Sequence, residues 1–174
     1  MVVLLIIAMM AMITMPLLQE QIAAREIDSL ARRFLHHAHF ARQQALHLGE
    51  PILLTPHQLN ASGGGTWDDG WVIQSRCIAK IIKPDCVPKY WFSQGAIQPI
   101  YFKGGGKQFT DPHTGKRGIL FNAAGAAKTA QGGFVANRLI LGHERAPRLE
   151  RQLILGSGGR WRICDPARDA KRCH

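Results

Sequence analysis

The stretch MVVLLIIAMMAMITMPLLQEQIAAREIDSLARRFLHHAHFARQQALHL, residues 1–48, contains no glycine and changes character partway along. Residues 1–18 carry no charge. At about 1.5 Å per helical residue they cover roughly 27 Å, close to the ~30 Å hydrocarbon thickness of a bilayer. Further on, the pattern narrows to one stripe. Ile27, Leu30, Phe34, Ala38, Ala41, Ala45 and Leu48 recur at steps of three and four, while Arg25, Glu26, Arg32, Arg33, Arg42 and Gln43 fall elsewhere. One long helix is therefore expected, with residues 1–24 spanning a membrane and the remainder, to about residue 48, lying against a globular core. A cleaved secretory signal fits less well: nothing basic precedes the apolar run, and Ile22 stands beside Ala23-Ala24 where a small residue is preferred. A buried soluble helix would require apolar neighbours on every side of residues 2–13.

Gly49 followed by Pro51 stops the helix. The rest of the chain consists of short apolar runs separated by glycine-rich turns, at residues 52–55, 70–75, 89–93, 97–102, 118–122, 133–137 with an extension to 141, 151–155 and 160–164. The last two runs are joined by Gly156-Ser-Gly-Gly159, a hairpin signal. No linker divides this region. The expected fold class is α+β, with the long helix packed on an antiparallel β-sheet in a head of residues 25–174.

The 174 residues carry a formal charge of +10, unevenly placed. Residues 1–100 hold eight Lys/Arg against seven Asp/Glu, and residues 101–174 hold fourteen against five. A basic C-terminal half draws phosphate polymers, anionic lipid or acidic protein surfaces. With 46% hydrophobic residues the chain is not of disordered composition. The four cysteines allow three pairings. The local ones, Cys77 with Cys86 and Cys164 with Cys173, are favoured and fit an oxidising compartment. Zinc would need tighter ligand spacing.

Catalytic motifs fail on inspection. Gly104-Gly-Gly-Lys107 lacks the hydroxyl residue and spaced glycine of a P-loop. His36, His37 and His39 lack the i, i+4 spacing that aims two imidazoles at one metal. Asp68-Asp69 sits in a turn, where carboxylates bond local amides. No enzyme, cofactor or metal is expected. The closing stretch is more informative. In a strand, Arg160 and Arg162 share a face about 7 Å apart, and each guanidinium can take a phosphate bidentately. Arg148 and Arg151 precede them, and Lys171 and Arg172 follow in the Cys164–Cys173 loop. Converging, these six residues would make a DNA-binding face that grips the phosphate backbone without reading bases. Trp161 would point to the core. The competing reading is a strand edge solubilised by its charges.

Together these features resemble the minor type IV pilins of the FimT family, which share a GspH/FimT-type domain with the minor pseudopilins of type II secretion. The resemblance rests on several landmarks. Met1-Val-Val-Leu-Leu-Ile-Ile with Pro16 resembles the inner part of the pilin N-terminus, and Ala41-Arg42-Gln-Gln-Ala45 before Gly49-Glu-Pro-Ile resembles the helix end and first strand. Trp67-Asp-Asp-Gly-Trp71, Ile119-Leu-Phe121 with Gly125, and Ser157-Gly-Gly-Arg-Trp-Arg162 resemble later landmarks. It implies a single-pass inner-membrane helix that also forms a filament core, a periplasmic head, and pilus association at the cell surface. The implied partners are other major and minor pilins, DNA, and prepilin peptidase acting on a leader upstream of Met1. Aligned on Pro16, Met1 falls at an internal position of the mature helix, so the leader and its glutamate are expected upstream. By motif position the resemblance implies DNA uptake in natural transformation through Arg160 and Arg162 alone, the other four cations being added from charge. The alternative is a structural minor pilin or type II secretion pseudopilin that primes filament assembly without binding DNA, its basic face meeting an acidic neighbour.

Overall fold

The computed structural model describes residues 2–57, 65–75, 87–106, 109–110, 117–128, 133–156 and 159–173, with the side chains of residues 2–17 and 172 outside that set. Helix α1 (Val2–Leu48) runs 47 residues, about 70 Å at the standard rise. Gly49, at φ +65°, ends it in the left-handed conformation that glycine adopts without steric cost.

The expected membrane span in residues 1–24, with its single-pass inner-membrane placement, is corrected here. Among the described residues no helix is long and apolar enough to cross a membrane. A span needs about 20 predominantly apolar residues. From Leu18 onward α1 is broken by Gln19, Glu20, Gln21, Arg25, Glu26 and Asp28, while the side chains of the uncharged run before it lie outside the described residues.

The amphipathic half of α1 behaves as its spacing predicts. Ile27, Leu30, Phe34, Ala38, Ala41 and Ala45 are buried, joined by Ala23 and Ala31, and only Leu48 in the last turn of the stripe is exposed. The stripe meets two four-stranded antiparallel sheets where the sequence suggested one. The first contains β1 (Ile52–Pro56), β2 (Trp71–Ser75), β3 (Tyr90–Gln94) and β5 (Ile119–Phe121), in the order β3-β2-β1-β5. The second contains β4 (Ile100–Gly105), β6 (Asn137–His143), β7 (Glu150–Leu155) and β8 (Trp161–Cys164), in the order β4-β6-β7-β8. Helix α1 packs on β1 and β5 of one and on β6, β7 and β8 of the other, so its stripe closes both hydrophobic faces at once. Alanine at three successive stripe positions, 38, 41 and 45, keeps that part of the helix narrow. Phe34 fills the centre. Its ring lies edge-on to Trp67, Trp71, Phe102 and Trp161 at centroid distances of 5.8, 5.0, 6.1 and 5.4 Å, an arrangement the aromatic quadrupole favours.

The final hairpin forms as its glycines suggest: Gly159 adopts φ +72°, and the Gly156 amide donates to the Arg160 carbonyl at 2.9 Å. One strand begins later than its apolar run. Within 133–136 only Phe134 is bridged, to Lys128, and β6 starts at Asn137. After β8 the chain turns into a short helix α2 (Pro166–Asp169) and a 3-10 turn (Ala170–Arg172). Asp165 caps α2, its Oδ1 accepting from the Ala167 amide at 3.0 Å, with Pro166 at the first helical position. The Cys164–Cys173 disulfide closes this segment, as the spacing predicts, with Cα atoms 5.5 Å apart. The other expected pair, Cys77–Cys86, lies outside the described residues.

Candidate functional site

The six cations expected to form one basic face divide into different environments. Arg160 and Arg162 flank buried Trp161 and are exposed, as strand alternation requires. Arg148, in the turn between β6 and β7, and Lys171, beyond α2, are also exposed. The Arg172 side chain lies outside the described residues. Arg151 does not belong to this surface and is corrected. It is 7% exposed and faces α1, where its Nε donates to Asp28 Oδ1 at 2.6 Å and its Nη1 lies 3.1 Å from Asp165 Oδ2. A guanidinium already saturated by two carboxylates cannot neutralise a phosphate. The expected DNA-binding face thus loses one of its six members to the fold.

Arg151 instead joins three elements. Asp28 belongs to the helix, Arg151 to β7, and Asp165 to the cap of α2. A second tie runs beside it. His143, on β6 and fully buried, accepts the Arg145 amide at Nδ1 (3.2 Å), which leaves Nε2 to donate to Glu26 Oε2 at 2.8 Å. On the opposite side of the second sheet, Arg138 reaches the Gln152 amide oxygen at 3.3 Å and the Cys173 carbonyl at 3.5 Å, so the disulfide-closed segment folds back over β7. Higher on the helix, the Arg42 Nε donates to the Gly125 carbonyl at 2.9 Å, fastening α1 to the loop after β5. Sequence reading missed all of these ties. Arg151 was the detectable one, because it alternates with Leu153 and Leu155 on the inward face of β7.

Of the three clustered histidines, His37 is buried and does structural work. It accepts a hydrogen bond at Nδ1 from Trp71 Nε1 (3.1 Å) and stacks on Phe92 at 3.8 Å. Burial, reinforced by the neighbouring His36 and Arg33 charges, lowers its pKa from 6.5 to about 4. Below pH 6.5 the unfolded chain takes up a proton that the folded chain refuses, so stability falls as pH falls. The contribution is complete above pH 6.5 and gone below about pH 4, a loss of about 3 kcal/mol by linkage. Urea titrations at pH 7 and pH 4 should show that loss in the native chain and not in His37→Gln, whose side-chain oxygen can still accept from Trp71. Equal pH dependence in both would refute the assignment.

The acidic turn behaves as expected. Asp69 Oδ2 accepts from the Thr66 amide and hydroxyl at 3.2 and 2.9 Å, and Asp68 Oδ1 accepts from the Phe102 amide at 2.5 Å. Both carboxylates serve the backbone. Among the described residues no cluster of three or more His, Cys, Asp or Glu is placed to hold a metal ion. Trp161 Nε1 is buried without a hydrogen-bond partner among the described residues.

A family model described as "Type II transport protein GspH" matches residues 30–173. No curated protein matches the chain. Among solved structures, the type IV minor pilin FimU of Pseudomonas aeruginosa is similar at a TM-score of 0.56 and 14% identity, covering 83% of this chain and 92% of that one. The minor pseudopilin EpsH from the Type 2 Secretion System of Vibrio cholerae is similar at a TM-score of 0.54 and 9% identity, covering 81% and 98%. At such identities the structures share the fold: a long helix packed on antiparallel sheet. The kinship is with a pilin and pseudopilin domain, the broader part of the expected resemblance, and is not specific to FimT. It is consistent with a non-enzymatic protein. It brings no support for DNA as a partner, so the DNA-binding expectation is withdrawn with the membrane one.

Proposed function

Because the chain belongs to the GspH family of type II transport proteins, we propose that it acts as a structural minor pilin or pseudopilin, a subunit that takes its place in a filament and helps start its assembly. The observation that supports this is the exposure of Leu18 and Ile22 where the helix leaves the head. Among the described side chains of α1 burial begins at Ala23, while Leu18 and Ile22 are 58% and 43% exposed. The helix backbone continues to Val2, about 30 Å beyond the head, and residues 1–18 of it carry no charge. The head leaves Leu18 and Ile22 largely exposed, and the stems of like subunits in a filament core would cover them, together with the uncharged run before them, by hydrophobic burial. On this reading residues 1–24 form the stem and 25–174 the head, and the named relatives, a minor pilin and a minor pseudopilin, agree with it in kind.

The test is incorporation. In the source organism, Leu18→Glu with Ile22→Glu should leave the head folded by circular dichroism and reduce the protein in the sheared-filament fraction at least tenfold, since each charge must be desolvated in an apolar contact. Undiminished incorporation would overturn the proposal. So would sequence-blind, salt-sensitive binding of duplex DNA by the purified chain, lost on Arg160→Ala with Arg162→Ala, if filaments form normally without the protein.

A further inference from the structure

A groove of about 450 Å³ lies between α1 and the segment joining β3 to β4. Its floor is apolar, made by Leu30, Ile97 and Ile100, and its rim carries Arg25 and Arg33, both exposed. Arg25 has no ion-pair partner among the described residues, and Arg33 makes only a 3.5 Å contact with the Gln94 side-chain oxygen. Among the described residues lining the groove the one carboxylate, Glu26, is already engaged by His143. The groove therefore offers an apolar floor between two cations, with no acid among the described residues left to satisfy them.

The spacing of those cations restricts what fits. Eight helical residues separate Arg25 from Arg33, about 12 Å along the axis. In an extended chain, positions i, i+2 and i+4 face one way, and i to i+4 spans about 13 Å. We infer that this groove docks an extended segment of a neighbouring filament subunit with the pattern acidic-x-apolar-x-acidic. Its carboxylates would pair with Arg25 and Arg33, and its central side chain would enter between Leu30 and Ile97. The inference rests on the filament-subunit reading and gives that partner a chemistry. A second copy of this chain is a poorer occupant, since two bodies of charge +10 repel.

The probe is a fluorescein-labelled peptide, GETLTEG, titrated by anisotropy against the full chain in a mild neutral detergent, with GKTLTKG and GETNTEG as controls. GETLTEG should bind, more weakly as salt rises, and each control should bind at least tenfold more weakly. Arg25→Glu with Arg33→Glu, both surface changes checked by circular dichroism, should weaken GETLTEG at least tenfold, while Arg160→Ala with Arg162→Ala should leave it unchanged. No binding at millimolar peptide, equal binding of a control, or equal loss in the Arg160 and Arg162 variant would overturn the inference. A dimer in sedimentation that dissolves in the Arg25 and Arg33 variant would also overturn it, by making a second copy the occupant. These outcomes are separable from the filament test, which depends on Leu18 and Ile22 and not on this groove.

Discussion

Phe34→Ala is expected to lower the stability of the head by about 4 kcal/mol, within the range for truncating a fully buried phenylalanine. The site cannot collapse readily. Four aromatic rings drawn from both sheets and the turn before β2 surround Phe34, and each is held by its own backbone. Removing the common ring leaves a void bounded by stiff side chains, besides forfeiting the edge-to-face contacts. In a head of this size that corresponds to a fall in melting temperature of about 10 °C. Differential scanning calorimetry would check it, and a fall below about 3 °C would show that the rings repack around the gap.

Gly70→Ala should cost about 3 kcal/mol or more for a different reason. Gly70 has φ +92°, a conformation L side chains rarely adopt, and a Cβ there would collide with the backbone carbonyls of Gln94 and Gly95. The obstacle is backbone on both sides, because the Gly70 carbonyl accepts the His57 amide and its own amide donates to the Trp67 carbonyl. Relief would require β3 to shift away from β2. Chemical denaturation should show the loss with little change in slope. A near-neutral result would mean that the turn at residues 67–70 relaxes independently of the sheet.

Much of this architecture could be read locally. The stripe of α1 repeats with the helical period, the Gly156–Gly159 turn announces its hairpin, and the spacing of Cys164 and Cys173 announces their bond. What could not be read was pairing over distance. β1 accepts β5 as its second neighbour, Leu53 opposite Leu120, and β4 pairs with β6 through Phe102 opposite Leu141. Such registers are set by how both sheets fit the helix and leave no mark within either strand. That is why one sheet was expected and two are present. Arg151 was assigned to the basic face for a related reason. Counting charge treats every arginine as solvent-facing, yet Arg151 alternates with Leu153 and Leu155 and had to turn inward. A buried arginine then requires acids, and Asp28 and Asp165 supply them from elements distant in sequence. The uncharged run 1–18 was read from composition, which does not distinguish one apolar surrounding from another.

The chain of ion pairs from Asp28 through Arg151 to Asp165 also has a mechanical meaning. Tension drawn along α1 enters the head near Asp28 and is handed to β7, then to the residue that follows β8. Asp165 is the backbone neighbour of Cys164, where the bond to Cys173 closes the segment into a loop. The segment is therefore fastened at both its ends to the end of β8, so that a load reaching Asp165 pulls on the strand and on the closed loop together.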